Sequence, residues 1–174
     1  MKWKDKLLDD LLTALESDIS GKVYVDAINR LEVNMHLAIF TDPFLSYLLN
    51  GEKTFESRLS INKIAPYGKV HKNDIVVVKK SGGEIFGIFT VKTVHFYSNL
   101  NSALIKKIDD SYGDKIMWNS LEFLASKSSS KFLTLIEVAS LKLFLPFDIT
   151  KKDRGSWVII RNGLRNTLFQ KTTL

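Results

Sequence analysis

One short segment, GEKTFESRLS at positions 51–60, holds the residues whose types and spacing best suit a chemical role. Side chains alternate between the two faces of a strand, so Glu56 and Arg58 share one face while Phe55 marks the core side. Two such charges can pair, and the pair would hold the N–H donors of the guanidinium towards an anionic or planar ligand. The alternative interpretation is a solvated strand face, with a surface ion pair worth about 0 to 1 kcal/mol.

Lys53 begins this group of charges. Its side chain either points to the mouth of the apolar interior or lies in the turn before the strand begins. A lysine at such a rim loses part of its hydration, which lowers its pKa and suits it to clamp a phosphate or to donate a proton. We therefore expect an exposed Lys53 that contacts ligand and contributes little to folding, with Glu56 orienting it or acting as a base.

Two further groups lie outside this segment. Tyr47 is on a predicted short helix, where its phenol could bind a phosphate or stack on a base, and where it could equally serve helix packing. The polar loop SKSSSK at 126–131 could hold a phosphate with its hydroxyl and ammonium groups, although serine-rich loops usually only connect elements. From this loop we take Ser128 as a candidate catalytic hydroxyl, and Lys127 and Lys131 as candidate phosphate-binding cations.

The composition excludes several kinds of site. There is no cysteine, so disulfides, thiol nucleophiles and cysteine-built metal centres are ruled out. His36, His71 and His95 are scattered, and the adjacent Asp109 and Asp110 diverge on a helix. The sequence has no phosphate-binding or dinucleotide-binding glycine loop and no zinc-protease motif. We therefore predict no metal site and name no cofactor, while a divalent ion stays open.

These residues need a scaffold, and the apolar pattern predicts strands and helices in alternation. Strands are predicted at 35–40, 53–60, 75–80, 84–97, 132–145 and 157–161, and helices at 43–51, 99–109 and 112–125, with Asp42 and Pro43 as N-cap and N1. The strands on either side of the Ser-Gly-Gly turn should form a hairpin, and Gly87 should mark a bulge or a close backbone approach. This order favours an α+β fold built on a small, mostly antiparallel β-barrel with surrounding helices.

The first 34 residues have a different pattern of apolar and charged residues. Leucines recur at helical spacing over residues 3–16 with charged residues opposite, which predicts an amphipathic helix. Residues 22–34 suit either a second helix or a strand. We therefore predict an N-terminal helical extension at 1–34 and a barrel domain at 35–174. The leucine face must dock on something, either the barrel or, by self-association, a second copy.

The net charge of +6 is unevenly distributed along the chain. Residues 1–34 hold five basic and seven acidic groups, which leaves 20 against 12 in the rest. A basic excess attracts polyanions because phosphate contacts release counterions, although a solvated basic face without a partner is common. No apolar run approaches a membrane span, and aspartates stand where a signal peptide needs apolar residues. We expect a soluble, cytoplasmic protein with no membrane partner.

The pattern PF…LLNGEKTFESRLS…PYGKV…NDIVVVKKSGG resembles the ASCH family, a branch of the PUA-like small β-barrels. The resemblance extends from about Met35 to Trp157, and Asp74 takes the position where the family usually has Gly-Asp, with Asn73 in place of the glycine. The family signature GxKxxExR is matched by Gly51, Lys53, Glu56 and Arg58.

The resemblance implies a cleft, lined by the motif residues, that takes RNA or nucleotide-like ligands. Some relatives bind RNA, some are reported to cleave it, and one branch resembles an amidohydrolase that deacetylates a modified cytidine. That branch uses a threonine three positions after the lysine, where this chain has Glu56, which weakens the amidohydrolase interpretation.

We therefore expect single-stranded RNA binding in a basic cleft, with ribonuclease cleavage as a further hypothesis. The alternatives are a non-catalytic reader of RNA or of a modified nucleobase, and an acetylcytidine-type amidohydrolase. The expected RNA-binding residues are Lys53, Arg58, Lys127 and Lys131, and the expected catalytic residues are Lys53, Tyr47, Ser128 and Glu56.

Overall fold

The structure is a computed structural model that describes residues 2–118, 127–151 and 154–164. In chain order the elements are α1 (Trp3–Glu16), a 3₁₀ turn (Ile19–Gly21), α2 (Lys22–Asn29), β1 (Met35–Phe40), α3 (Phe44–Leu49), β2 (Phe55–Ser60), β3 (Ile75–Lys80), β4 (Ile85–Ser98), α4 (Ser102–Ile116), β5 (Phe132–Phe147) and β6 (Trp157–Arg161). The strands hydrogen-bond in the order β2-β5-β4-β3-β1-β6. β1 runs parallel to β3 and antiparallel to β6, and β2 runs antiparallel to β5. The α+β prediction and the β3–β4 hairpin are confirmed.

The chain divides into two compact units. The first unit comprises Met1–Phe40, Asn73–Phe89 and Leu141–Leu174, and the second comprises Thr41–Lys72 and Thr90–Ser140. β4 and β5 contribute residues to both. The segment 1–34 falls within the first unit, and the folding of 35–174 as a separate domain stays a prediction.

The first unit has a core in which α1 takes part directly. Leu7, Leu11 and Leu15 are fully buried and cluster with side chains of β1 and β3 such as Leu37 and Val77. The amphipathic helix is thus confirmed, and its leucine face docks within its own unit. Self-association stays a prediction, and it would have to use a different face. The ambiguous segment after residue 22 begins with a helix, α2.

A buried polar network joins β1, β3 and β6. His36 donates from Nε2 to Asp74 Oδ2 at 3.0 Å, because its Nδ1 accepts from Trp157 Nε1 at 3.2 Å. Asp74 also accepts from the backbone and side chain of Asn34. Asn73 has a φ of 71°, a left-handed conformation that favours glycine and that asparagine tolerates, which explains its place beside Asp74. His36 therefore has the structural role expected for it.

The second unit packs α4 against β2 and β5. Ile108 and Ile116 of α4 cluster with Phe55 of β2 and with Leu133 and Leu135 of β5. Leu133 and Leu135 lie opposite Leu59 and Ser57, so this face of β2 is the core face. The sequence therefore identified the core side of β2 correctly.

Two predicted details need correction, and a third is confirmed. The helices expected at 99–109 and 112–125 are one helix, α4, which ends at Ile116 before a left-handed Met117; residues 119–125 lie outside the described residues. α3 begins at Phe44 with Pro43 as its N-cap, so Asp42 is not the cap. Gly87 is confirmed as a close backbone approach, since a Cβ there would clash with the carbonyl oxygen of Lys142.

Candidate nucleic-acid interface

The turn between α3 and β2 places Lys53. Gly51 adopts a φ of +78°, which turns the chain after α3, and the amide of Lys53 donates to the carbonyl of Tyr47 at 2.9 Å. β2 begins only at Phe55. Of the two predicted positions for Lys53, the turn before the strand is the one observed.

The side chain of Lys53 is buried rather than exposed. Only 3% of the residue is accessible, and its ammonium donates to the carbonyl oxygen of Ile116 at 2.6 Å. The same nitrogen lies 3.4 Å from Glu56 Oε2 and 5.5 Å from the centre of the Phe44 ring. Burial lowers the pKa of Lys53, a shift that the nearby Glu56 opposes and Arg58 reinforces. The lowered pKa was predicted correctly, but the expected exposure was wrong because α4 ends against the lysine.

Glu56 links the two cations of the motif. It is 4% exposed, and its Oε1 accepts from Arg58 Nε at 2.6 Å while its Oε2 faces Lys53. A buried carboxylate held by two cations is not a solvated strand face, so that alternative is wrong. Removing one partner of such a buried pair typically costs about 3–5 kcal/mol, because it leaves a charge unpaired. The three charges therefore form one fixed unit.

Arg58 is the motif cation that reaches the surface, with its side chain 16% exposed. Its cross-strand partner on β5 is Thr134, and Ser60 is likewise opposite Phe132. Directly opposed residues share a sheet face, and so do residues two apart on one strand. Arg58, Thr134 and Phe132 therefore lie on one face, opposite to the core face that packs on α4.

Thr134 is an unusual neighbour for Arg58. The residue is 1% exposed, and among the described residues its hydroxyl oxygen has no hydrogen-bond partner. A buried hydroxyl without a partner costs free energy that a methyl group would not. Position 134 is therefore a place where a polar side chain does not help the fold.

An aromatic cluster lies on this face and was not predicted. The Tyr67 ring lies 5.3 Å from the Phe96 ring and 5.1 Å from the Phe132 ring, measured between centres. Phe96 is 39% exposed, and the ammonium of Lys63 lies 5.7 Å from the centre of the Phe132 ring. The signal in the sequence was the tyrosine of PYGKV, but its partners come from β4 and β5.

The connection from β2 to β3 carries only one sign of charge. Between Glu56 and Asp74 the sequence has no acidic residue. The basic residues of this stretch are Arg58, Lys63, Lys69 and Lys72, of which the three lysines are exposed. One of these lysines, Lys63, lies against the aromatic cluster, and Lys69 is two residues from Tyr67 in the sequence.

The remaining predicted site residues are less closely assembled. Tyr47 is half-buried on α3, and its link to Lys53 runs through its backbone carbonyl. Ser128 is exposed in a turn that the amide of Ser130 closes on the carbonyl of Lys127, and within the described part of the chain its hydroxyl makes no hydrogen bond to a motif residue.

Lys131 does come close to the motif strand. It is exposed, and its amide donates to the carbonyl of Ser60 at 2.9 Å, which places it beside the end of β2. Lys127 is also exposed, while Ser126 lies outside the described residues.

Two other kinds of feature are absent from the described residues. These residues contain no group of three or more His, Asp or Glu residues that could hold a metal ion. They also contain no helix of the length and apolarity needed to span a membrane.

No family model and no curated protein matches this chain. Solved structures do match: ASCH from Zymomonas mobilis aligns with a TM-score of 0.57 and 11% identity over 80% of this chain and 94% of that chain. A serine-to-alanine mutant of the ASCH protein from that organism gives 0.58 and 11% over 80% and 96%. A tyrosine-to-phenylalanine mutant gives 0.56 and 12% over 78% and 96%. The resemblance first drawn from the GxKxxExR motif is thus confirmed at the level of the fold, and this chain has the ASCH fold.

Proposed function

We propose that this chain binds single-stranded RNA where the end of β2 meets the start of β5, at the accessible edge of the face that carries Arg58. The observation that carries the proposal is the position of Arg58, fixed by Glu56, on the same face as the cluster of Tyr67, Phe96 and Phe132. Cations hold the phosphates of a strand, and aromatic rings stack on its unpaired bases. A duplex keeps its bases stacked inside, so the cluster favours a single strand.

The motif residues have different roles in this proposal. Arg58 contacts phosphate, because its guanidinium is the part of the charged unit that reaches the surface. Lys53 and Glu56 are almost fully buried and act on RNA through Arg58 by holding it in place. Lys63 and Lys131 extend the positive surface at the end of β2, beside Phe132 and Ser60, and Lys127 adds charge in the neighbouring turn.

RNA cleavage is the second candidate function, and the lowered pKa of Lys53 is the observation that favours it. In such a reaction the 2′-hydroxyl loses its proton to a base and attacks the adjacent phosphorus, and the leaving 5′-oxygen takes up a proton. The residues expected from the sequence for the proton transfers are Lys53 and Glu56, with Tyr47 and Ser128 on the phosphate. Because Lys53 and Glu56 are almost fully buried, cleavage would require both side chains to become accessible to the RNA. The acetylcytidine amidohydrolase alternative has no observation in its favour, since Glu56 occupies its threonine position.

Fluorescence anisotropy with a labelled single-stranded RNA and the matching duplex tests the binding proposal. We expect the single strand to bind more tightly, and Phe96→Ala to weaken it about tenfold, because one base loses its stacking partner. Leu143→Ala is the matched control, since Leu143 is an apolar side chain of similar exposure in the first unit. Lys63→Gln should make the binding constant less sensitive to salt. The slope of its logarithm against the logarithm of salt concentration should fall by about the amount that one phosphate contact contributes.

The matched control for Lys63 is Lys106→Gln, an exposed lysine on α4 that pairs with Asp110. Absence of saturable binding by the wild-type chain would refute the proposal, as would unchanged binding in both the Phe96 and Lys63 variants. Gel analysis of the same RNA after incubation, with and without chelator, separates binding from cleavage.

A further inference from the structure

A second basic region lies in the first unit and consists of residues that the proposed RNA site does not include. A cavity of about 710 Å³ opens between the start of α1 and the end of β6. Its lining includes three cations, Lys2, Lys4 and Arg161, against one carboxylate, Asp5. The volume falls within the range of small-molecule sites in proteins.

Arg161 is the residue of this cavity that most needs a partner. Its terminal nitrogen donates to the carbonyl of Ile28, but its Nε is buried and has no hydrogen-bond partner among the described residues. No carboxylate of the described residues forms an ion pair with it. Partial burial lowers the pKa of Arg161, because the charge has lost part of its hydration. A partly dehydrated guanidinium without a counter-ion is unfavourable until an anion reaches it.

Lys4 offers further donors to the same space. Its ammonium gives one N–H to the carbonyl of Ile159 at 2.7 Å and lies 5.8 Å from the centre of the Trp3 ring. An ammonium has three donors, so one backbone bond fixes its position and leaves others to face the cavity. The indole of Trp3 adds a flat apolar surface beside the cations.

The N-terminal end of α1 also contributes positive charge to the cavity. Lys2 is the N-cap and makes no side-chain capping bond, and it lines the cavity together with the first turn. The start of a helix carries partial positive charge, which favours an anion there. This helix start supports the cluster of side chains and does not replace it.

We propose that this cavity binds a phosphate monoester, with the phosphate on Arg161 and Lys4 and an attached planar group on Trp3. A phosphate monoester is close to a dianion at neutral pH, which suits a lining of three cations and one carboxylate. The fork of guanidinium donors matches the oxygens of phosphate better than it matches a single-atom anion. The phosphate can come from a free nucleotide or from the phosphorylated end of an RNA strand.

Calorimetric titration of the full chain at constant ionic strength tests the proposal. The probes are inorganic phosphate, AMP, and adenosine as the ligand without phosphate. We expect phosphate and AMP to bind saturably at a single site, AMP more tightly, and adenosine not to bind. Arg161→Met should weaken AMP about tenfold or more, the effect of losing a charged hydrogen bond, and Lys4→Gln several-fold.

Lys6→Gln is the matched control, since Lys6 is on the same helix and pairs with Asp10 on its exposed side. Arg161→Met also removes a bond to α2, so a thermal melt must accompany it, and Lys2→Gln, an exposed residue, provides a second variant with little effect on folding. AMP binding should weaken in Lys2→Gln and stay unchanged in Lys6→Gln.

The source of the phosphate is decided by one further comparison. If a 5′-phosphorylated RNA binds better than its 5′-hydroxyl form, and Lys4→Gln removes the difference, the end of RNA is the ligand. If only AMP responds to the variants, the ligand is a free nucleotide. No saturable binding of phosphate or AMP, or equal losses in Lys4→Gln and Lys6→Gln, would overturn the proposal.

Discussion

The Nε of Arg58 donates to Glu56 Oε1 at 2.6 Å, so a buried carboxylate sets the direction of a guanidinium that reaches the surface. Glu56 itself is almost inaccessible and cannot touch a polymer.

This relationship gives the first prediction, on RNA binding. Removing an acidic charge normally strengthens binding to a polyanion, and Glu52→Gln, at an exposed position of the same unit, should do so slightly. Glu56→Gln should act in the opposite direction and weaken binding, because Arg58 loses its fixed orientation. Anisotropy at one salt concentration compares the two, and a gain in affinity with Glu56→Gln would contradict the positioning role.

The second prediction concerns stability. Lys53→Met keeps most of the side-chain volume but removes the charge opposite Glu56 and the bond to Ile116, so it should lower the free energy of unfolding by about 3 kcal/mol. Lys106→Met, at an exposed position of α4, should change it by less than about 0.5 kcal/mol. Urea denaturation measures both. Equal midpoints for the two variants would show that Lys53 does not contribute to the stability of the folded chain.

The third prediction is a pH dependence from the same lysine. Burial holds the pKa of Lys53 below its ordinary value of 10.5, so the folded chain binds fewer protons at this site than the unfolded chain does. Stability should therefore rise with pH from the lowered pKa up towards 10.5. Burial raises the pKa of Tyr97, so this residue makes stability fall as the pH rises. That effect begins only above the ordinary pKa of tyrosine, 10.0.

Burial also lowers the pKa of Lys79, so the rise of stability with pH should be smaller in Lys53→Met than in the wild type, and what remains is due to Lys79. Urea midpoints measured at intervals from neutral pH to about 10 test it, because Tyr97 has little effect in that range. Parallel curves for wild type and variant would contradict the prediction.

The fourth prediction concerns Thr134. Thr134→Val replaces an unpartnered buried hydroxyl by a methyl group of similar size, so stability should stay the same or rise by about 1 kcal/mol. Ser57→Ala on the facing strand is the contrast, because it removes the acceptor of Trp118 Nε1 at 2.8 Å and should cost about 1–3 kcal/mol. A loss with Thr134→Val as large as that with Ser57→Ala would show that the hydroxyl has a partner.

The fifth prediction concerns the N-terminal helix. Leu11→Ala should destabilise the chain by about 2–5 kcal/mol, because Leu11 is fully buried in the core of the first unit. Val23→Ala on α2, 67% exposed, should have little effect. Deletion of 1–34 tests the predicted boundary: if 35–174 folds alone, the deleted chain should keep its far-ultraviolet signal and aggregate, because the apolar face that α1 covers becomes exposed. Complete loss of folding on deletion would show that the boundary is wrong and that the helix belongs to the core.

Much of this fold could be predicted because its signals are local. The leucine spacing of α1, the β3–β4 hairpin and the small residue at Gly87 all depend on near neighbours in sequence. The burial of Lys53 could not be predicted, because it depends on the end of α4, 63 residues away. The aromatic cluster likewise depends on the register that sets Phe132 opposite Ser60. The motif was therefore enough to predict strand β2, but the residues that surround it on the surface are known only from the pairing of β2 with β5.

The bond from Lys53 to Ile116 has a consequence for α4 itself. Ile116 is the last residue of the helix, and its carbonyl is among those that an α-helix leaves without an internal partner. The lysine therefore serves as a cationic cap on the electronegative end of a distant helix. Two residues further on, Trp118 donates to Ser57 of β2, so fraying at this end would loosen β2 through both attachments. Lys53, which was identified through a ligand-binding motif, therefore also holds the end of α4 against the start of β2 within the second unit.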